Sequence, residues 1–331
     1  MPHPTARVAM LRTAAAGLFL ALAAGVGCTP KPKVVSDPPI DIPPRLWEQF
    51  SGERAFEEVA RQVAFGPRPS GSAALEKARG HITETLKAHG WEVERQEFDD
   101  TPVPGRGAIR FVNLIARFSG KNARPAPRNT QRAIVASHYD TKRMDGIIFT
   151  GANDGGSSTG ALLELARVLS TAPALAERIE LAFFDGEEAI AQFGPAETGP
   201  DGLVGSRHYA RDLLQAGRAA QFRFAILWDM IGDKDLTVTL PRDTPAALSG
   251  ALFTAAEQLG ARKHFGYHTD KTILDDHEPL IHIARIPAMD IIDFDYTPWH
   301  TSGDTLDKLS PASLETVGRV TLRFLDSEFR K

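Results

Sequence analysis

The chain has 331 residues, 42% of them hydrophobic and 24% charged, with a formal net charge of −4. An apolar fraction this close to the globular norm excludes a collagenous or disordered chain, and the length allows one large α/β domain or two smaller ones. The single cysteine excludes an intramolecular disulfide framework and every cysteine-rich zinc module, and the acidic balance, with no basic stripe, argues against nucleic acid as a partner.

At the amino terminus, Arg7 and Arg12 precede an uncharged run over residues 13–28 that includes Leu18-Phe19-Leu20-Ala21-Leu22. A basic start before an apolar run shorter than the ~20 residues needed to span a bilayer reads as an export signal. Gly25-Val26-Gly27-Cys28 is similar to a bacterial lipoprotein cleavage site, with Gly25 where leucine is usual. Residues 1–27 are therefore expected to be a signal peptide of the lipoprotein type. Cys28 would become the acylated first residue of an exported cell-envelope protein, membrane-anchored in the periplasm. Residues 28–44 contain Pro30, Pro32, Pro38, Pro39, Pro43 and Pro44, a stiff tether that would hold a folded domain off the membrane.

No second linker or internal repeat follows, so residues 45–331 read as one domain. Phe56, Val59, Ala60 and Val63 at helical spacing predict a helix over 46–64, closed by the turn Gly66-Pro67-Arg68-Pro69-Ser70-Gly71. A second helix is predicted over 73–89, stopped by Gly90. Strand-like runs at 91–98, 109–118, 133–137, 179–184, 222–228 and 288–292 are interleaved with helical patterns at 157–170, 206–215, 245–259 and 311–329. Several of the strands are apolar throughout, as strands covered on both faces must be. The expected fold class is α/β, three layers with a mixed central sheet flanked by helices.

In such sheets ligands bind beyond the carboxyl ends of the strands. Unusual polar residues gather there: His138-Tyr139-Asp140, Asp185-Gly186-Glu187-Glu188 and Asp229 end three strands, and Asp275-Asp276-His277 and Trp299-His300 lie in later loops. Carboxylates and imidazoles without a usable thiol suit a divalent metal with N and O ligands, above all zinc. An adjacent Glu187-Glu188 pair lets one carboxylate bind the ion while its neighbour works as general acid or base. Any one of these residues alone has a plainer role as turn former, cap or solvated surface. Their joint occurrence at successive strand ends is harder to explain that way.

The order His138-Tyr139-Asp140, Gly151-Ala152-Asn153-Asp154, Phe184-Asp185-Gly186-Glu187-Glu188, Asp229-Met230-Ile231-Gly232 and His300-Thr301, with the entry turn at 66–71, resembles the zinc aminopeptidase superfamily called peptidase family M28. Within it the chain looks most like the animal-type glutaminyl cyclases, on His138-Tyr139-Asp140-Thr141-Lys142, Phe183 to Ala189, Gly205-Ser206-Arg207-His208, Asp275-Asp276-His277 and Trp299-His300-Thr301. The resemblance implies a phosphorylase/hydrolase-like globule and an enzyme that closes the N-terminal Gln of peptides or proteins into pyroglutamate, releasing ammonia. It further implies one zinc ion on Asp154, Glu188 and His300, with Glu187 as acid/base. Asp229 and Asp275 would form a hydrogen-bonded acidic pair beside it, and Trp299, Phe193 and Tyr296 would line the substrate pocket. The chain departs from the cyclase pattern in lacking the cysteines flanking the first motif, and in carrying Asp290 where a histidine is usual and Tyr296 for a pocket phenylalanine.

A rival reading stays open: His138, Asp154 and Asp229 are also what a second zinc would need. Glu187 would then activate water in a two-zinc aminopeptidase that releases N-terminal residues. A catalytically dead binding domain on a lipid tether is the third reading, weakened because every metal and acid/base position is filled.

Overall fold

The computed structural model describes residues 40–120, 130–191, 201–242, 244–267 and 273–330. The export segment, Cys28, most of the proline-rich tether and Phe193 lie outside the described residues. The chain divides into Met1–Ser36 and Asp37–Lys331, and every described residue belongs to the second unit.

In chain order the elements are a 3-10 turn at Leu46–Gln49, α1 (Gly52–Val63), α2 (Ala73–Ala88), β1 (Trp91–Asp100), β2 (Ile109–Phe118) and β3 (Arg132–His138). They continue with α3 (Gly156–Ser170), the short α4 (Pro173–Ala176), β4 (Ile179–Phe184), α5 (Val204–Gln215) and β5 (Phe222–Asp229). The last are β6 (Val238–Leu240), α6 (Ala246–Gln258), β7 (Phe265–Tyr267), α7 (His277–His282), β8 (Ala288–Ile292) and α8 (Pro311–Phe329).

The helix expected over 46–64 is broken. Phe50 takes an extended conformation, and the Ser51 hydroxyl accepts the Arg54 amide to start α1 afresh. The break lets Phe50 lie buried against α8, so close that a Cβ at Gly318 would fall 2.3 Å from its ring. Ser72 caps α2 in the same way, through the Leu75 amide at 3.1 Å. Two features went unanticipated. The 275–277 segment read as loop runs into α7, and β6 and β7 form a separate two-stranded parallel sheet.

The main sheet has the order β1-β2-β4-β3-β5-β8. β1 and β2 are antiparallel to their neighbours, whereas β4, β3, β5 and β8 run parallel, so their carboxyl ends open along one edge. Alternation along each strand feeds two cores. Ala133, Val135, Leu181, Ile226 and Met289 face the core shared with α1, α2, α3, α6 and α8. Ile134, Ala136, Ala182, Ala225 and Leu227 face the one shared with α5 and α7. The result is the three-layer α/β architecture with a mixed sheet.

Candidate active site

His138 closes β3 and Asp229 closes β5, while Glu187 and Glu188 follow β4 after a turn at Gly186. Gly186 has φ 77, and a Cβ there would fall 2.5 Å from the Phe111 ring, so only glycine lets the chain turn at this point. Asp154 stands just ahead of α3, followed by Gly155 with φ 71, where a Cβ would meet the Asp140 carbonyl oxygen at 2.7 Å and His138 Cε1 at 2.9 Å. His300 (φ 54) and Met230 (φ 48) are non-glycine residues held in the left-handed region, at a cost of roughly 1–3 kcal/mol each. Two of the five non-glycine residues with positive φ thus stand beside the polar cluster.

Two groups of side chains share Asp154. His300 Nε2 lies 3.3 Å from Asp154 Oδ2 and 3.2 Å from Glu188 Oε1. On the other side, His138 Nε2 lies 3.3 Å from Asp154 Oδ1 and 3.2 Å from Asp229 Oδ1. Tetrahedral zinc with ligand bonds of ~2.0–2.2 Å places neighbouring donors about 3.3–3.6 Å apart. In each triad the two distances to the imidazole nitrogen, 3.2 and 3.3 Å, come close to that spacing, and all donor atoms lie within 4.8 Å of one another. The donor set is nitrogen and oxygen only, and the carboxylates are buried. The residues present therefore fit zinc in the first triad, and the second has the geometry for another ion.

Supporting groups hold these ligands in place. Asp140 accepts the amides of Glu187 and Glu188 at 3.3 and 3.4 Å, and its Oδ1 lies 3.5 Å from His138 Nδ1, so one carboxylate orients a ligand-bearing turn and an imidazole. Asp304 accepts the Asn153 and Asp154 amides at 2.8 and 3.1 Å and the Tyr296 hydroxyl at 2.8 Å. Arg68, wholly buried, donates to the carbonyls of Gln62, Gly66, Thr150 and Gly151, joining the 66–71 turn to the loop before Asp154. Burial draws its pKa down to about 10 against the pull of Asp304, Asp140 and Asp154. Arg79 donates to Asp185 Oδ2 at 2.6 Å and to the Tyr139 hydroxyl at 2.7 Å, tying α2 to the ends of β3 and β4.

The electrostatics are those of crowded, buried acids. Burial raises Glu187 well above the usual carboxylate range; the charge of His138 opposes this, and Glu188, Asp275 and Asp276 add to it. Asp275 is pushed up to about 7 by burial and by Asp229, and Asp290 well above its ordinary value by burial and by Asp275. Asp275 lies against Asp290, with carboxylate oxygens within 4.8 Å, while Asp229 reaches it as a neighbouring charge and stands 3.2 Å from His138 Nε2. Burial opposes a charge on His138, yet Asp229, Asp140 and Asp154 hold its pKa well above the imidazole norm. This is a surplus of negative charge that a divalent cation would neutralise.

The model of peptidase family M28 matches residues 113–325. The chain belongs to peptidase family M28. Among M28-like relatives, the glutaminyl-peptide cyclotransferase of Drosophila melanogaster is 25% identical over 319 residues, covering 88% of this chain and 86% of that protein. The solved glutaminyl cyclase of an Acidobacteriales bacterium is 31% identical at a TM-score of 0.75, covering 88% of this chain and 98% of that one. A Zn-dependent exopeptidase from Parabacteroides distasonis is 28% identical at a TM-score of 0.74, with 83% and 98% covered. The fold alone therefore does not separate the two chemistries.

Within this M28 chain the structure brings Glu187, Glu188, Asp154, His300, His138, Asp229 and Asp275 together. Trp299 stacks on His300 with ring centroids 4.2 Å apart and stays partly exposed. Tyr296 is buried among Met230, Ile273 and Ile292, with its hydroxyl on Asp304. The sequence reading gave no role to Arg68, Arg79 or Asp304. Arg68 and Arg79 carried a faint signal, one inside a glycine-proline turn and the other on the core side of a helix. Asp304 carried none.

Proposed function

We infer that the protein is a zinc-dependent glutaminyl-peptide cyclotransferase, which cyclises the N-terminal Gln of peptides or proteins to pyroglutamate and releases ammonia. The observation that carries this reading is the likeness to a solved glutaminyl cyclase along nearly its whole length. Zinc held by Asp154, Glu188 and His300 would supply a Lewis acid to polarise the γ-carboxamide carbonyl. Glu187 takes a proton from the substrate α-ammonium, and the freed amine attacks the γ-carboxamide carbon. Glu187 returns that proton to the amide nitrogen, whose bond to carbon breaks as ammonia leaves, and the ring nitrogen gives its surplus proton to the freed Glu187 carboxylate, which passes it to solvent. A carboxylate can do both when burial and like charges raise its pKa, as they do for Glu187. Trp299, with Tyr296 buried behind it, would wall the pocket that holds amine and amide face to face, a role the resemblance also gives to Phe193.

One ion is proposed per chain, with the His138–Asp154–Asp229 triad left hydrogen-bonded. That triad's spacing is the one observation favouring a two-zinc aminopeptidase. Incubating the purified protein with a Gln-initiated peptide tests the choice by mass and metal content. We expect loss of one ammonia, abolished by chelator and restored by zinc. Release of free amino acids by protein holding two zinc ions would overturn the reading.

The signal peptide over 1–27, acylation of Cys28 and anchoring in the cell envelope are part of the same proposal, supported by the Arg7–Cys28 pattern and the prolines after it. Residues 45–331 are proposed as the catalytic domain. Ile42 is buried just upstream of it and its carbonyl accepts from Arg330 at 2.8 Å, so the ordered core begins slightly before residue 45. Among the described residues no helix is long and apolar enough to cross a membrane.

A further inference from the structure

The loop between β3 and Asp154 is anchored at both ends beside the first zinc triad. At its start, Thr141 exchanges hydrogen bonds with the Arg68 backbone, and Lys142 Nζ lies 3.3 Å from Glu188 Oε2. At its end, Thr150 and Gly151 are held by the Arg68 guanidinium, and Phe149 meets His300 edge-on with ring centroids 5.8 Å apart. The loop therefore touches two different ligands of one ion. Between these anchors it turns at Gly146, and Ile147 and Ile148 stand 41% and 75% exposed.

Two adjacent solvent-facing isoleucines on an otherwise pinned loop hold apolar surface that nothing among the described residues covers. On another side of the same imidazole, Trp299 stacks nearly parallel to the ring, at 25°, and is 39% exposed. His300 is thus flanked by the Phe149 loop and by Trp299, and both flanks end in exposed apolar side chains.

We propose that Ile147 and Ile148, with Trp299, form a subsite for an apolar side chain at the residue that follows the N-terminal Gln. The proposal rests on the cyclotransferase reading. In this arrangement a peptide whose Gln is seated at the triad runs outward past the His300 side, between Phe149 and Trp299, so that its second residue covers these side chains. Within the loop the charged neighbours of the two isoleucines are Lys142, held at Glu188, and the opposite charges Arg143 and Asp145, which leave no net charge at the tip. The subsite therefore selects by size and apolarity rather than by charge.

The test compares Gln-Leu-Gly with Gln-Gly-Gly in the full chain and in the Ile147→Ser/Ile148→Ser variant. Covering part of a leucine side chain gives the natural protein about a tenfold higher kcat/KM for Gln-Leu-Gly, carried mostly by KM. The variant is expected to lose about tenfold on Gln-Leu-Gly and under about twofold on Gln-Gly-Gly, with its zinc content retained. Equal kcat/KM for both peptides in the natural protein, or the same preference in the variant, overturns the subsite while leaving cyclisation standing. Failure to cyclise either peptide overturns the cyclotransferase reading and the subsite with it. Both proteins are also mixed with phosphatidylglycerol vesicles in a Cys28→Ser background. Vesicle binding that needs Ile147 and Ile148, with peptide preference unaltered, overturns the proposal in favour of a membrane contact.

Discussion

Glu187 and Glu188 are adjacent, share the clamp of Asp140 on their amides, and yet face different work. Glu188 turns toward His300 at 3.2 Å, while Glu187 sits among His138, Asp275 and Asp276. Glu187→Gln keeps the shape and removes the proposed proton acceptor, so cyclisation should fall by about 10²–10⁴-fold. Zinc content by elemental analysis should stay at the natural level. Glu188→Gln weakens a ligand instead, and zinc should be lost on dialysis. At Gly155 the left-handed backbone and the 2.7 Å approach to the Asp140 carbonyl leave no room for a methyl group. Gly155→Ala should therefore lower zinc affinity, read by competition with a chromogenic chelator, as His138 and Asp154 are displaced.

At the scale of elements, buried arginines register strand ends against helices. Arg79 reaches from α2 to Asp185 and Tyr139, and both ends of this ion pair are nearly inaccessible. Arg79→Leu leaves Asp185 buried without its counter-charge, and a loss of about 3–5 kcal/mol is expected in denaturant unfolding. Removing both charges together should cost less, because no unpaired carboxylate remains. Arg68 does the same for the entry turn through carbonyls alone. Its turn was legible from the glycines and prolines. Its guanidinium was not, because its partners come from residues 62–66 and 150–151 and meet only in the folded chain.

For the whole molecule, the site joins segments remote in sequence, so filling it should stabilise the entire fold. A ligand at a hundred times its dissociation constant adds about 2.7 kcal/mol when it binds only the native state. Chelation should lower the thermal midpoint and zinc should restore it, measured by calorimetry. At the other end of the chain, Cys28→Ser should abolish incorporation of labelled fatty acid and move the protein from the membrane fraction to the soluble one.

The sequence by itself determined the α/β class, most strand limits and the residue types of the candidate site. Periodicity and turn chemistry are local properties, and β2, β4, β8 and α8 fall where their apolar patterns begin and end. It misjudged Phe50 and the segment leading into α7, where packing rather than propensity sets the boundary. Only the tertiary structure decided that Asp154 stands between two triads and that Asp275 lies against Asp290. It alone brought Glu188 to His300 across 112 residues and put Ile148 in solvent beside them. Donor spacing, burial and the charge around each acid arise from residues distant in the chain, and those distances exist only once the sheet has aligned its strand ends.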